Sequence, residues 1–513
     1  MTTKLKAALL AGIGLAMGQA MIGAAEAETL REALAKAYAG NPTLTGQRAA
    51  QRAADENVPI AQSAGRPGVA ANGGLTNNVL QNNNGSNALN PDRFGNAALN
   101  LTIPLYQGGA VRNSVLAAET RVEAGRDTLR GAEASTFTNV VAAYMNVIRD
   151  ESIVGLNQQN VRVLDVNLRA SRDRFQVGDL TRTDVAQSEA RLALARAQLQ
   201  SAEAQLISSR ENYIAVIGTP PTALEQPPAL PNLPNSPQTA VSEALSDNPN
   251  LAAARKASDA TRYDIKVARA SRLPRISAVT GGTYVNYLGS IPTTVVNGRI
   301  IPNSATAATA GLQFTLPLFQ GGRPAAQVRQ AEALRGQALE NQTATERAVV
   351  SQARSAYAVW QSSLQVIQSA ETAVNANKLS LEGVRAENSV GTRTILDILN
   401  AEQELLNSQV TLVTARRDAY VAGFALLAAM GKAEARDLGL DGGTLYDPTI
   451  NYKRVRGRFG DFGGDGEPDA VAPSTATTVP QTAIVAPTSD SMLDTPVDRS
   501  RPLTTGASSP NRQ

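Results

Sequence analysis

The chain has 513 residues, and 48 Lys and Arg against 45 Asp and Glu leave a net charge of +3, too small to give a basic field for nucleic acid. It has no cysteine and no histidine, which removes the usual zinc ligands, thiol nucleophiles and imidazole bases. Hydrophobic residues make up 42% but aromatic ones only 4%, a composition suited to thin Ala, Val and Leu helical packing rather than to a thick globular core.

Residues 1–27 read as a secretory signal peptide. Lys4 and Lys6 precede an apolar run at 7–18, and Ala25-Glu26-Ala27 is an A-x-A cleavage pattern. The alternative, an anchor helix, needs a longer run. No later window holds about 20 continuous apolar residues, so any entry into a membrane would use strands.

The first repeat covers 28–218. Residues 29–63 carry a helical pattern, with Leu30, Leu34 and Ala37 on one face and a break at Asn41-Pro42. A strand is expected at 66–80 and a polar, Asn-rich loop at 77–96. The stretch 99–109 then alternates Leu99, Leu101, Ile103 and Leu105 with Asn100, Thr102 and Pro104, before Gly108-Gly109 break it. That period of two predicts a strand with one apolar and one polar face. A proline-free run follows from 110 to about 177, with Val140, Val147, Val154, Val161, Leu168 and Phe175 on one seven-residue column. Such a helix would be roughly 100 Å long. Gly178 stops it, and Val185, Leu192, Leu199, Leu206 and Tyr213 form a return column. The expected unit is an antiparallel helical hairpin with a coiled-coil seam.

A Pro-rich linker occupies 219–239 and cannot be helical. The second repeat, 240–431, restates the programme. Asn248-Pro249 answers Asn41-Pro42, a strand opens after Pro274, and a polar loop is expected at 289–310. The strand at 312–322 places Leu312, Phe314, Leu316 and Leu318 opposite Gln313 and Thr315. A helix to about 389 carries Trp360, Ile367, Val374 and Leu381, each 213 positions after its counterpart. Gly391 answers Gly178, and Ile398, Leu405, Leu412, Ala419 and Leu426 make the return column up to Gly431. Residues 432–459 have a mixed pattern. Residues 460–513, rich in Pro, Ser, Thr, Asp and Gly, are expected to be a disordered tail, dispensable for assembly and transport.

Two strands per repeat give four per chain, and a four-stranded sheet has two edges that lipid does not tolerate. Closure therefore needs several chains. Two chains would give eight strands, a number usually filled by side chains, so an open pore favours three or more subunits. The apolar columns would face lipid and the polar columns the lumen, with Tyr106 and Phe319 suited to an interfacial aromatic girdle. A soluble sandwich is the alternative, but it explains neither the signal nor helices fused directly to strands.

The motifs PLYQGG at 104–109, PLFQGG at 317–322, VGDLTRTDV at 177–185 and SVGTRTILDIL at 389–399, together with the duplication, resemble the TolC family of outer-membrane channel proteins. The resemblance covers about 28–452. It implies a mainly α fold with a membrane β-barrel: a trimer sharing a 12-stranded barrel that continues into a long α-helical, coiled-coil barrel. It places the linker and 432–459 in an equatorial belt. It implies a homotrimer in outer-membrane lipid, with a large periplasmic portion, working with a periplasmic adaptor (membrane fusion) protein and an inner-membrane transporter. Neither a metal nor another cofactor is expected.

By motif position the resemblance places the entrance latch on Asp184 and Arg393 and a ring of carboxylates on Asp397. Asn400 stands where some members carry a second Asp, and Asn388 where some carry a Tyr, so the entrance is expected to be less acidic and the latch to use fewer bonds. The tips that an adaptor would touch hold Gly178, Thr181, Gly391 and Thr394. The residues allow a plainer role as well. Thr181-x-x-Asp184 and Thr394-x-x-Asp397 fit helix capping boxes, and the glycines fit left-handed helix stops.

Three functions compete: a passive exit duct for efflux or type I secretion, a periplasmic adaptor-like coiled-coil protein without its own pore, and an enzyme. An adaptor would have one hairpin flanked by small β-domains. No G-x-x-x-x-G-K-[ST] phosphate loop is present, so the duct would not hydrolyse nucleotide itself.

Overall fold

The structure is a computed structural model and describes residues 27–80, 91–291, 295–296, 299–300, 302–440, 445–485 and 490–494. The signal peptide, apart from Ala27, lies outside the described residues. Three short helices open the chain: α1 (Leu30–Gly40), α2 (Pro42–Asp55) and α3 (Asn57–Ser63). Asn41 does more than break the first two apart. Its Oδ1 accepts from the Thr43 and Leu44 N–H groups at the start of α2, while its Nδ2 donates to the Val216 carbonyl at 2.8 Å. Asn248 repeats this in the second half, capping Asn250 and Leu251 and donating to the Ala429 carbonyl at 2.9 Å. Each Asn-Pro thus caps one helix and ties it to the end of a returning helix.

Strands β1 (Gly68–Asn77) and β2 (Arg93–Gln107) lead into α4 (Ala110–Gln176), and α5 (Arg182–Ile217) returns along it. The linker runs without regular structure to Asn235. Its last residues, expected as coil, instead form the first turn of α6 (Pro237–Asp247), because Ser236 caps Thr239 and Pro237 fits a helix N-terminus. Then follow α7 (Pro249–Ala270), β3 (Arg275–Asn286), a two-stranded ribbon of β4 (Val295–Val296) and β5 (Arg299–Ile300), and β6 (Ser304–Thr315). The expected polar loop is therefore partly strand. The chain closes with α8 (Arg323–Ser389), α9 (Ile395–Ala429) and α10 (Thr449–Val455).

The four long strands form one antiparallel sheet in the order β1-β2-β3-β6, with both edges open among the described residues. Its register puts Val69, Leu101, Thr280 and Ala310 in one row, and Ala278 opposite both Ile103 and Leu312. The columns read from sequence therefore share one apolar face. Asn100 and Thr102 share the other face with Asn72, Thr283, Thr309 and Gln313. On this polar face a Cβ on Gly281 would lie 2.7 Å from the Asn100 amide oxygen, so the glycine makes room for the asparagine across the strand.

Two expectations for the strands need correction. Leu105 falls at a β-bulge between Pro104 and Tyr106, and Tyr106 takes the ladder position opposite Ile276. Pro104 has no N–H to donate, which favours the irregularity there. Leu316 and Leu318 lie beyond β6, which ends at Thr315 opposite Arg275, the first residue of β3. With Pro274 next in line, the ladder has no further partner to offer.

Of the tail, residues 486–489 and 495–513 lie outside the described residues. Residues 460–485 and 490–494 form no helix or strand and are mostly exposed, but some of them contact the rest of the chain. Asp465 accepts from both terminal nitrogens of Arg454 at 2.7 and 2.5 Å, and Leu493 is buried. Side chains of the body take up the tail's polar groups, so its order does not require a core of its own.

The main core gathers residues of α1, α4, α5 and α9, with Phe137, Tyr144, Tyr213 and Phe424 fully buried. The Tyr144 hydroxyl bridges the Glu28 and Glu225 carbonyls at 2.7 and 2.6 Å and so pins the linker to the segment just before α1. Among the described residues no helix is long and apolar enough to cross a membrane. Gly431, just after α9, has φ +77°, and a Cβ there would stand 2.4 Å from the Asp247 carbonyl oxygen. Gly431→Ala should reduce folded, membrane-inserted protein sharply, because backbone cannot give way as a side chain can. Gly178→Ala, with φ +83° but nothing within 4 Å, should cost only the dihedral strain of about 1–2 kcal/mol. Comparing their unfolding midpoints checks this.

Candidate functional site

The site is the lower end of the two hairpins, where α4 turns into α5 and α8 into α9. The turns are built alike. Gly178 and Gly391 have φ +83° and +84°, and their N–H groups return to Phe175 and Asn388. The next N–H groups, of Asp179 and Thr392, reach back to the Arg174 and Glu387 carbonyls at 2.9 and 3.0 Å. These are left-handed helix stops with the paired bonds of a Schellman motif. Val177 and Val390 stand exposed at the two tips, a feature the sequence reading passed over.

Thr181 and Thr394 then start the return helices with capping boxes of the same geometry. The Thr N–H and hydroxyl both donate to one carboxylate oxygen of Asp184 or Asp397, at 2.9 and 2.7 Å. The Asp N–H donates back to the Thr hydroxyl at 3.3 Å. The Thr181 hydroxyl, then its N–H, hold the Asp184 carboxyl below the usual carboxylate range; at Asp397 the Thr394 N–H leads and the hydroxyl follows. Both groups are anionic at neutral pH, and both have a capping role of their own.

The structure does not bring Arg393 to Asp184 within one protomer. Arg393 donates to Glu387 of its own tip at 2.7 Å, while the Asn388 amide donates to the Arg393 carbonyl at 2.7 Å. Asn400 does join the hairpins, accepting from Arg191 of α5 at 2.7 Å. The firmest junction is one the sequence reading missed. Glu402 of α9 is 5% exposed, and both its oxygens accept from Asn167 of α4 at 3.0 Å, while Arg385 of α8 donates to one of them at 3.1 Å. A single carboxylate thus joins both hairpins. Burial pushes it above the usual glutamate range, against the opposing pull of Asn167 and Arg385. The available signal was its position: Ile395, Ile398, Glu402, Leu405, Gln409 and Leu412 follow alternating steps of three and four, so a charge occupies a seam position.

The two long helices, 67 residues each, are unequally covered. α4 buries side chains on nearly every turn from Ala117 to Ser171, while α8 buries only Val328, Val349, Ala353, Ala370, Val374 and Leu381. Leu334, Val359, Val366 and Leu379 of α8 are exposed. α8 follows β6, the edge strand, in the chain.

Residues 33–219 and 240–432 match the family described as outer membrane efflux protein. The chain belongs to that family. The outer membrane efflux protein BepC of Brucella suis biovar 1 (strain 1330) is 34% identical over 452 residues, covering 88% of this chain and 96% of its own. The outer membrane protein TolC of Escherichia coli (strain K12) is 27% identical over 424 residues, covering 80% of this chain and 84% of its own. In fold, the chain is similar to the Campylobacter jejuni CmeC outer membrane channel, with a TM-score of 0.69 at 18% identity, over 83% of this chain and 89% of that one. The two matched stretches are the two repeats, separated by the Pro-rich linker. As a member of the efflux family the chain is an outer-membrane channel protein with a large periplasmic helical portion, and nothing supports the adaptor-like alternative.

Proposed function

We propose that three copies of this chain close into one outer-membrane exit duct of an efflux or type I secretion system. The observation that carries this reading is the pair of open edges. Among the described residues β1 and β6 have no outer neighbours in the sheet, and α8, which follows β6 in the chain, keeps apolar side chains exposed. Three sheets joined edge to edge give twelve strands, wide enough for a water-filled lumen. The apolar face then meets lipid and the Asn- and Thr-rich face lines the pore. The helices carry the passage into the periplasm, where an adaptor and an inner-membrane transporter meet the hairpin tips at Gly178, Thr181, Gly391 and Thr394. The duct itself is passive and energy comes from the transporter. Detergent-solubilised protein should have the mass of a trimer; a stable monomer would overturn the closure.

The tips form the entrance in this reading. Arg393 exchanges Glu387 for Asp184 of a neighbouring protomer when the entrance shuts, and the copies of Asp397 ring the opening. Each exposed pair is weak because water screens it, so three together bias the entrance without locking it. Arg393→Ser with Asp184→Ala should raise single-channel conductance, and Asp397→Ala should weaken block by multivalent cations. A double variant that conducts like the parent would leave these residues as helix caps alone.

A further inference from the structure

The C-terminal segment, for which the sequence offers no role, lies across both hairpins. Its first hold is on the first hairpin. Arg210 of α5, paired with Glu151 of α4 at 2.6 Å, donates to the carbonyls of Thr482 and Ile484, and the Gln481 N–H donates to Glu211 at 3.0 Å. Its second hold is on the second hairpin. Asp490 pairs with Arg416 of α9 at 2.6 Å, Lys378 of α8 donates to the Ser491 carbonyl at 2.7 Å, and Gln409 of α9 donates to the Met492 carbonyl at 3.2 Å. Leu493 is then inserted between the hairpins, 5% exposed, against Leu156 of α4 and Leu406 and Val413 of α9.

One short segment therefore engages α5, α4, α9 and α8 in turn, all four helices of the lower body. Two kinds of anchor cooperate. Body side chains clasp four backbone carbonyls, which is independent of the tail's own side chains, and Leu493 fills an apolar groove. That groove lies on the seam between α4 and α9, the line along which the two hairpins would part. Arg416 strengthens the hold, since it also donates to Glu371 of α8 at 3.3 Å.

We propose that residues 481–485 and 490–494 are the two anchors of a strap that clamps the first hairpin to the second within a protomer and limits how far they part. The seat of the strap stands on the contacts above; its effect on passage rests on the reading of the tips as the entrance. The natural absence of cysteine makes the test direct. Leu493→Cys with Val413→Cys should join on mild oxidation of the purified full-length channel, and the joined channel should conduct no more than the parent. Deleting 490–513 should leave the oligomeric state and membrane insertion unchanged yet raise mean single-channel conductance by about threefold or more, as one of two states loses an anchor. Leu493→Asp should do the same without shortening the chain. Failure of the cysteines to join would overturn the seat. If deletion and Leu493→Asp both conduct like the parent while the Arg393→Ser, Asp184→Ala protein opens, the clamp is overturned and the entrance reading stands. If none of them opens, both are overturned.

Discussion

Leu101→Arg should abolish outer-membrane insertion, while Thr102→Lys, one residue on, should be inserted and assembled normally. Both positions lie near the middle of β2, a strand with neighbours on each side. The register puts Leu101 in the row of Val69, Thr280 and Ala310, and Thr102 opposite Gly68 and Val279 on the face of Asn100. A cation on the lipid face at mid-depth costs about 2–4 kcal/mol, and the proposed closure by three copies would repeat it to about 6–12 kcal/mol. That is comparable with the whole stability of a folded domain, about 5–15 kcal/mol. On the lumen face a lysine keeps its water, so Thr102→Lys should change ion selectivity rather than insertion. Membrane fractionation followed by bilayer conductance measures both. Equal insertion of the two variants would show that the apolar face does not meet lipid.

Glu402→Ala should loosen the junction of the hairpins. It leaves the Asn167 amide and the Arg385 guanidinium without their shared acceptor in an apolar seam. Losing charge-assisted hydrogen bonds of this kind costs about 1–3 kcal/mol, toward the lower end here because Arg385 retains some exposure to water. Amide hydrogen exchange in α4 and α9 around the junction should therefore quicken by roughly 5- to 150-fold. The pH dependence has a definite sign. Burial raises the Glu402 carboxyl above its ordinary value of 4.5, so the folded junction disfavours the ionised form relative to the unfolded chain. The contribution of this group is full below 4.5 and is lost as pH rises through the raised value. Acidifying from neutral should tighten the junction, after correction for intrinsic exchange, and Glu402→Gln should remove that part of the response. A Gln variant with an unchanged pH profile would refute the assignment.

The sequence alone determined whatever depends on neighbours a few positions away. Helix stops at Gly178 and Gly391 follow from the local demand for positive φ, and the capping boxes from a Thr and an Asp three residues apart. The heptad columns and the two-residue alternation follow from the fixed periods of helix and strand, and duplication made each of these legible twice. What only the tertiary structure decided depends on partners far along the chain. Whether a ladder continues past Thr315 is set by where β3 begins, forty residues earlier, and Leu105 leaves its column because of a bulge against Ile276. Glu402 reads as an anomaly in a seam until Asn167 and Arg385 arrive from two other helices. The tail is poor in large apolar residues, and nothing in its own sequence shows that Leu493 meets a groove formed by α4 and α9. A segment that cannot bury a core of its own can still be ordered by one built elsewhere, because burial depends on the surface it meets and not on its own composition.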